Sequence, residues 1–144
     1  MATHIPPLSP DAPATALPTS LAALAGRLLI VPIFLLSGLA KIHDPNSFIG
    51  YAGAVGLPLP TLSVVVAILV ELLGSAALIA GYKTRAMAWV LAGFCVMTAL
   101  IFHTKLSDPN EYLFFWKNLA IAGGLVQLAL LGAGRFSLDA RRIG

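Results

Sequence analysis

Residues 64–85 read "VVVAILVELLGSAALIAGYKTR". The run is apolar almost throughout, yet Glu71 stands near its middle, ten residues after Thr61, where the segment begins. An acid at the centre of a membrane helix costs about 2.5–3.5 kcal/mol on insertion scales. The apolar neighbours can absorb that cost, but the carboxylate then needs a partner inside the protein. Ala67, Glu71, Gly74, Ser75 and Leu78 fall on one helical face. A face of small side chains around one acid packs against other helices rather than lipid.

The rest of the chain repeats this pattern. Apolar runs cover about 21–43, 61–82, 85–104 and 110–134, each close to or above the ~20 residues that cross ~30 Å of hydrocarbon as a helix. With 58% hydrophobic and 10% charged residues over 144 positions, the chain falls well short of the roughly one quarter charged residues of a soluble domain. Lipid is therefore the expected solvent, and the fold class is all-α: a bundle of four transmembrane helices. Aromatic residues mark the edges at Phe48, Tyr51, Tyr82 and "YLFFW" 112–116, as interfacial anchors do. The second and third runs are joined only by "GYKTR", a helical hairpin turn.

Residues 1–20 hold five of the ten prolines and no Lys or Arg. They read as a flexible Pro/Ala-rich cytoplasmic tail, because Pro blocks regular hydrogen bonding. They lack the basic start of a secretion signal, so the next run reads as a retained span. Residues 21–136 form the membrane domain and 137–144 a basic cytoplasmic tail. Arg27, Lys83, Arg85, Arg135, Arg141 and Arg142 fall on one membrane face, and Lys41, Lys105 and Lys117 on the other with Asp44, Asp108 and Glu111. Six against three puts both termini in the cytoplasm.

"KIHDPNSF" (41–48) matches "KLSDPNEY" (105–112), and each follows an odd-numbered span. Asp can cap a helix and Pro suits its first position. Asp108 and Glu111 have capping-box spacing at the start of the fourth span. Asp44 and Pro45 would start a helix too short to span, ending before Pro58 and Pro60. It is expected to be interfacial or re-entrant. Duplication of a two-helix unit and two coincidental D-P-N turns both account for the match.

Several chemistries find no foothold. Cys95 is the single cysteine, so the chain cannot cycle a dithiol alone. No Cys/His cluster, glycine-rich phosphate loop or nucleophile elbow occurs, and no metal site is expected. The sequence pI near 9.4 reflects scarce acids rather than a nucleic-acid footprint.

The ionisable residues inside the spans carry what remains. Lys117 lies at a depth similar to Glu71, from the same outer side, and Arg27 lies deeper toward the cytoplasm. Either is expected to pair with Glu71, directly or through water. The alternative is a buried pair that fixes helix register and does no chemistry. Arg27, Val31, Phe34, Gly38 and Lys41 form one stripe. Lys41, His43, His103, Lys105, Lys117 and Asn118 gather near the outer leaflet, where they could bind an anion or quinone head group, or simply reach for water. His103 can relay a proton or donate to a quinone oxygen. Gly38, Gly74, Gly93, Gly123, Gly124, Gly132 and Gly134 are expected at close helix contacts. Pro32 is expected to kink or open the first helix.

In order along the chain, "GRLLIVPIFLLSGLAKIHDP", "VELLGSAALIAGYKTR", "LIFHT", "FWKNLAIAGGL" and "GAGRFSLD" resemble the DoxX family of small bacterial membrane proteins, over most of residues 24–139. The resemblance implies a four-helix inner-membrane protein. It also implies relatives that serve as membrane subunits of a thiosulfate:quinone oxidoreductase, or as membrane partners of thiol, superoxide or quinone-stress enzymes. It carries Glu71, Lys117 and His103 over as candidate catalytic positions. Arg27, Lys41, Asn118 and Arg85 follow as candidate substrate- or quinone-binding positions.

The leading expectation is thus a membrane subunit of a redox complex, with quinone as the implied cofactor and a soluble oxidoreductase subunit as the implied partner. Whether the chain is itself an enzyme is left open. A non-catalytic scaffold for a soluble enzyme, and a homo-oligomeric transporter of an anionic or quinone-like solute, are the alternatives.

Overall fold

Each long apolar run folds as one helix. The computed structural model describes residues 17–141, so residues 1–16 of the expected tail and Arg142 lie outside the described residues. The helices are α1 (Leu17–His43), α2 (Pro45–Ala54), α3 (Pro60–Ala80), α4 (Thr84–Phe102), α5 (Pro109–Leu131) and α6 (Leu138–Arg141). α1, α3, α4 and α5 are long and apolar enough to cross a membrane. The fold is all-helical, four spans with a short helix between the first two. α1 runs unbroken through Pro32, whose ring nitrogen has no hydrogen to give the carbonyl four residues back.

The two D-P-N copies cap as their residue types require. The Asp44 carboxylate accepts from Ser47 N at the head of α2, and Asp108 accepts from Asn110 N and Glu111 N at the head of α5. The capping box is only half made, because the Glu111 side chain turns to His103 instead. α3 ends with Gly81 left-handed at φ 65°, Tyr82 N donating to Ala77 O at 2.9 Å. This closure satisfies carbonyls that a helix end leaves free. α5 stops at Leu131 rather than 134, because Gly132 and Gly134 take φ of 86° and 76°, outside helical space.

α1 packs on α3 and α5 on α4, with α3 and α4 joining the two pairs, while α1 and α5 barely touch. The core gathers Val31, Phe34, Leu78, Leu91, Cys95 and Leu125. Gly38 and Gly74 make the close approaches expected of them: a Cβ would meet Leu72 Cδ2 at 2.8 Å in the first and Leu91 Cδ2 at 2.8 Å in the second. Gly93 and Gly123 do not; nothing lies within 4 Å of where their Cβ would stand. Leu29 and Leu131, each 80% exposed, face outward where lipid replaces water.

At the end of the bundle that carries the α3–α4 turn, the chain folds back on itself. Arg27 is fully buried; its Nη1 donates to Leu78 O at 3.1 Å and its Nη2 to Phe136 O. Leu78 belongs to the last turn of α3, where free carbonyls and the negative end of the helix dipole favour a cation. Beside it the Asp139 carboxylate accepts from Lys83 N at 2.7 Å and Thr84 N at 2.8 Å, capping α4 from a distant part of the chain.

Candidate functional site

Glu71 has its partner, and it is Lys41. The Lys41 ammonium lies 2.9 Å from both carboxylate oxygens, and Glu71 is 3% exposed. The third ammonium hydrogen goes to Ser37 Oγ at 2.7 Å, and the Phe48 ring covers the charge at 5.1 Å. All three donors of the ammonium are thereby used. The expected pairing with Lys117 or Arg27 is corrected.

Side-chain direction gives the reason. Every Cα–Cβ bond in a helix tilts toward the helix N-terminus. α1 and α3 run antiparallel, with Gly38 against Glu71 Cβ. Lys41 therefore leans inward along α1 while Glu71 leans outward along α3, and they meet. Lys117 on α5 leans outward, away from Glu71, and its Nζ rests 4.3 Å from the Phe114 ring. Arg27 leans toward its own end of α1 and is spent on backbone carbonyls.

This ion pair floors a cleft of about 630 Å³ in the half of the bundle that carries α2. All four spans and α2 line it, with Phe34, Ala67, Phe94 and Ile121 among its apolar walls. α2 covers the cleft by burying Ala52 and by Tyr51, whose hydroxyl donates to Phe102 O at 3.2 Å and whose ring lies 5.5 Å from that of Phe102. Burial, and then the nearby Glu111 charge, push the Tyr51 phenol above its ordinary value.

The mouth is polar. His103 Nδ1 lies 2.9 Å from Glu111 Oε2, and the His103 ring packs against Phe114 in a tilted contact, 5.3 Å between centroids. Asn118 lines the cleft while its amide donates to Phe114 O at 2.9 Å. Of the candidate positions, Glu71, Lys41, His103, Lys117 and Asn118 share this cleft. Arg27 and Arg85 do not: both sit at the opposite end, where the Arg85 guanidinium approaches Gly132. Glu111 escaped sequence reasoning because its capping-box spacing already explained it. Ser37 escaped as an ordinary small residue, although it lies one turn before Lys41. Among the described residues no three His, Cys, Asp or Glu side chains gather as metal ligands.

The model of the family described as DoxX matches residues 22–104. The chain belongs to the DoxX family. Among curated proteins, this DoxX chain is 37% identical to the inner membrane protein YqjF of Escherichia coli (strain K12) over 116 residues, covering 81% of this chain and 88% of the relative. It is 32% identical to the inner membrane protein YphA of the same organism over 123 residues, covering 82% and 88%. No solved structure matches the chain. Inner-membrane relatives and four apolar helices together make it a multi-pass inner-membrane protein.

Proposed function

We propose that this DoxX protein is a membrane subunit of a redox system, and that its cleft receives the head group of a quinone or quinone-like amphiphile dissolved in the bilayer. One observation carries the reading: the Lys41–Glu71 pair, its carboxylate buried, closes the inner end of a cleft with apolar walls and a polar mouth. The volume lies within the roughly 300–1,000 Å³ of small-molecule sites, and apolar walls with a few convergent polar groups are their usual make-up. Ionisable residues within membrane spans cluster on substrate and proton pathways.

In this reading the apolar walls hold the ring and the start of its tail. Lys41 holds the Glu71 carboxylate in place; Glu71 takes up or gives a proton there. Lys117 and Asn118 orient the outer oxygen. Reduction of a quinone needs two electrons and two protons. A soluble oxidoreductase partner supplies the electrons, and this chain handles protons and position. Lys83, Arg85, Arg135 and Arg141 stand at the end opposite the cleft, which supports cytoplasmic termini and a cleft in the outer leaflet.

The test is calorimetric titration of the purified protein in nanodiscs with a short-chain ubiquinone, alongside Lys41→Met, Glu71→Gln and the control Arg85→Lys. The two cleft variants are expected to weaken binding at least tenfold and the control to leave it unchanged. Failure of the wild type to bind, or equal affinity in all four proteins, overturns the reading.

A further inference from the structure

We infer that Glu111 and His103 form a carboxylate–imidazole dyad that presents His103 Nε2 to the ligand's outer oxygen, with Glu111 as the positioning residue. The inference rests on the cleft reading above and assigns a group that the sequence left as a helix cap.

The geometry fixes which nitrogen is free. A carboxylate only accepts, so the contact of 2.9 Å between Glu111 Oε2 and His103 Nδ1 places a hydrogen on Nδ1. Nε2 is then bare in the neutral ring and carries a hydrogen in the protonated ring. A neutral Nε2 accepts from a quinol hydroxyl; a protonated Nε2 donates to a quinone carbonyl. Moving one proton lets the same ring bind both forms, which suits a site that must hold substrate and product in turn.

Glu111 is not used as a cap. It stands at the third position of α5, where a capping glutamate reaches back to the N–H of the capping residue. Here Asp108 N donates instead to Lys105 O at 2.9 Å, and the Asp108 carboxylate alone serves the helix start. His103 is held from its other sides as well. Its backbone N–H donates to Ala99 O at 3.1 Å, and its ring rests on Phe114. Anchored backbone, packed ring and one committed nitrogen define an orientation rather than a solvated rotamer. The charged and titratable groups around it are its partner Glu111 and, sharing the cleft, Lys117 of α5, Tyr51 of α2, and the Lys41–Glu71 pair of α1 and α3 at the cleft floor. Lys105 belongs to the neighbouring turn.

Imidazole ¹⁵N NMR of histidine-labelled protein tests the dyad without any ligand, with His103→Gln to assign the resonance. His103 is expected to show a single Nδ1–H tautomer in the wild type. Glu111→Ala is expected to give a tautomer mixture, and Glu111→Asp to restore the wild-type signal in part. An Nε2–H tautomer in the wild type, or no change in Glu111→Ala, overturns the dyad and leaves the cleft reading standing. Short-chain ubiquinone is then expected to shift the Nε2 resonance in the wild type. Glu111→Ala is expected to weaken binding five- to tenfold. Binding with an unmoved Nε2 signal and an unaltered affinity in Glu111→Ala overturns the assigned role. Absence of binding in the wild type overturns the cleft reading and this role together, with the tautomer result telling the two failures apart.

Discussion

Lys41 and Glu71 meet because each leans toward the N-terminus of its own helix and the two helices run in opposite directions; the ammonium ends 2.9 Å from both carboxylate oxygens. Residues that look equally near in depth are separated by the same rule. Lys117 leans away and Arg27 lies at the other end of the bundle.

Breaking the pair from one side strands the other group. Removing one member of a buried pair costs about 3–5 kcal/mol, whereas replacing both by apolar groups is often neutral. Lys41→Met is therefore expected to lower the thermal midpoint in detergent more than Lys41→Met/Glu71→Leu does. Equal midpoints for the single and double variants would show that the pair contributes nothing to the fold.

Among the described glycines, Gly81 permits the tightest approach. A Cβ there would collide with Arg27 Nη1 and Ser137 Cβ, and would lie 2.8 Å from Ser137 Cα, at φ 65°. Gly81→Ala is expected to cost at least about 1–3 kcal/mol. Gly123→Ala, with open space at its Cβ, is expected to be tolerated. Thermal unfolding of the two variants side by side decides this.

The Asp139 carboxylate caps α4 through Lys83 N and Thr84 N. Asp139→Ala is expected to lose about 1 kcal/mol, the usual worth of an N-cap, and to raise amide exchange at Thr84. Unchanged exchange there argues against the cap.

The Ser47 hydroxyl, then the Ser47 backbone N–H, hold the Asp44 carboxyl below its ordinary value of 3.8. A depressed carboxyl stabilises the fold above the unfolded value and loses that contribution as pH falls through the folded one. The start of α2 is therefore expected to fray only below about pH 4, with Ser47→Ala raising the Asp44 titration point. A carbon-13 carboxyl titration by NMR measures both.

Ala67 lines the cleft on α3, one turn before Glu71. Ala67→Phe is expected to fill the space and abolish short-chain ubiquinone binding without lowering the thermal midpoint by more than a few degrees. Retained binding in a folded variant places the ligand elsewhere.

Much of this protein is written along the chain. Continuous apolar length sets four spans, because a backbone in hydrocarbon must satisfy its own hydrogen bonds. The D-P-N copies start helices at Asp44 and Asp108 because capping is a local matter of a few residues. The small face around Glu71 and the stripe that begins at Arg27 are buried as their periodicity requires, with Ala67 and Lys41 at their cleft ends half-buried. The direction in which each ion leans was also legible, since it follows from helix polarity alone.

Tertiary structure decided the rest. Which cation reaches Glu71 depends on the antiparallel register of α1 and α3, set where Gly38 seats on Leu72. The choice of Glu111 between helix cap and His103 depends on where the end of α4 meets the start of α5. The burial of Arg27 depends on the chain's return, which brings Phe136 O to its guanidinium. Local sequence fixes the length, faces and ends of helices, because those interactions span only a turn. Partners across helices are fixed by packing between residues far apart in the chain, and a cleft exists only once those helices are in place.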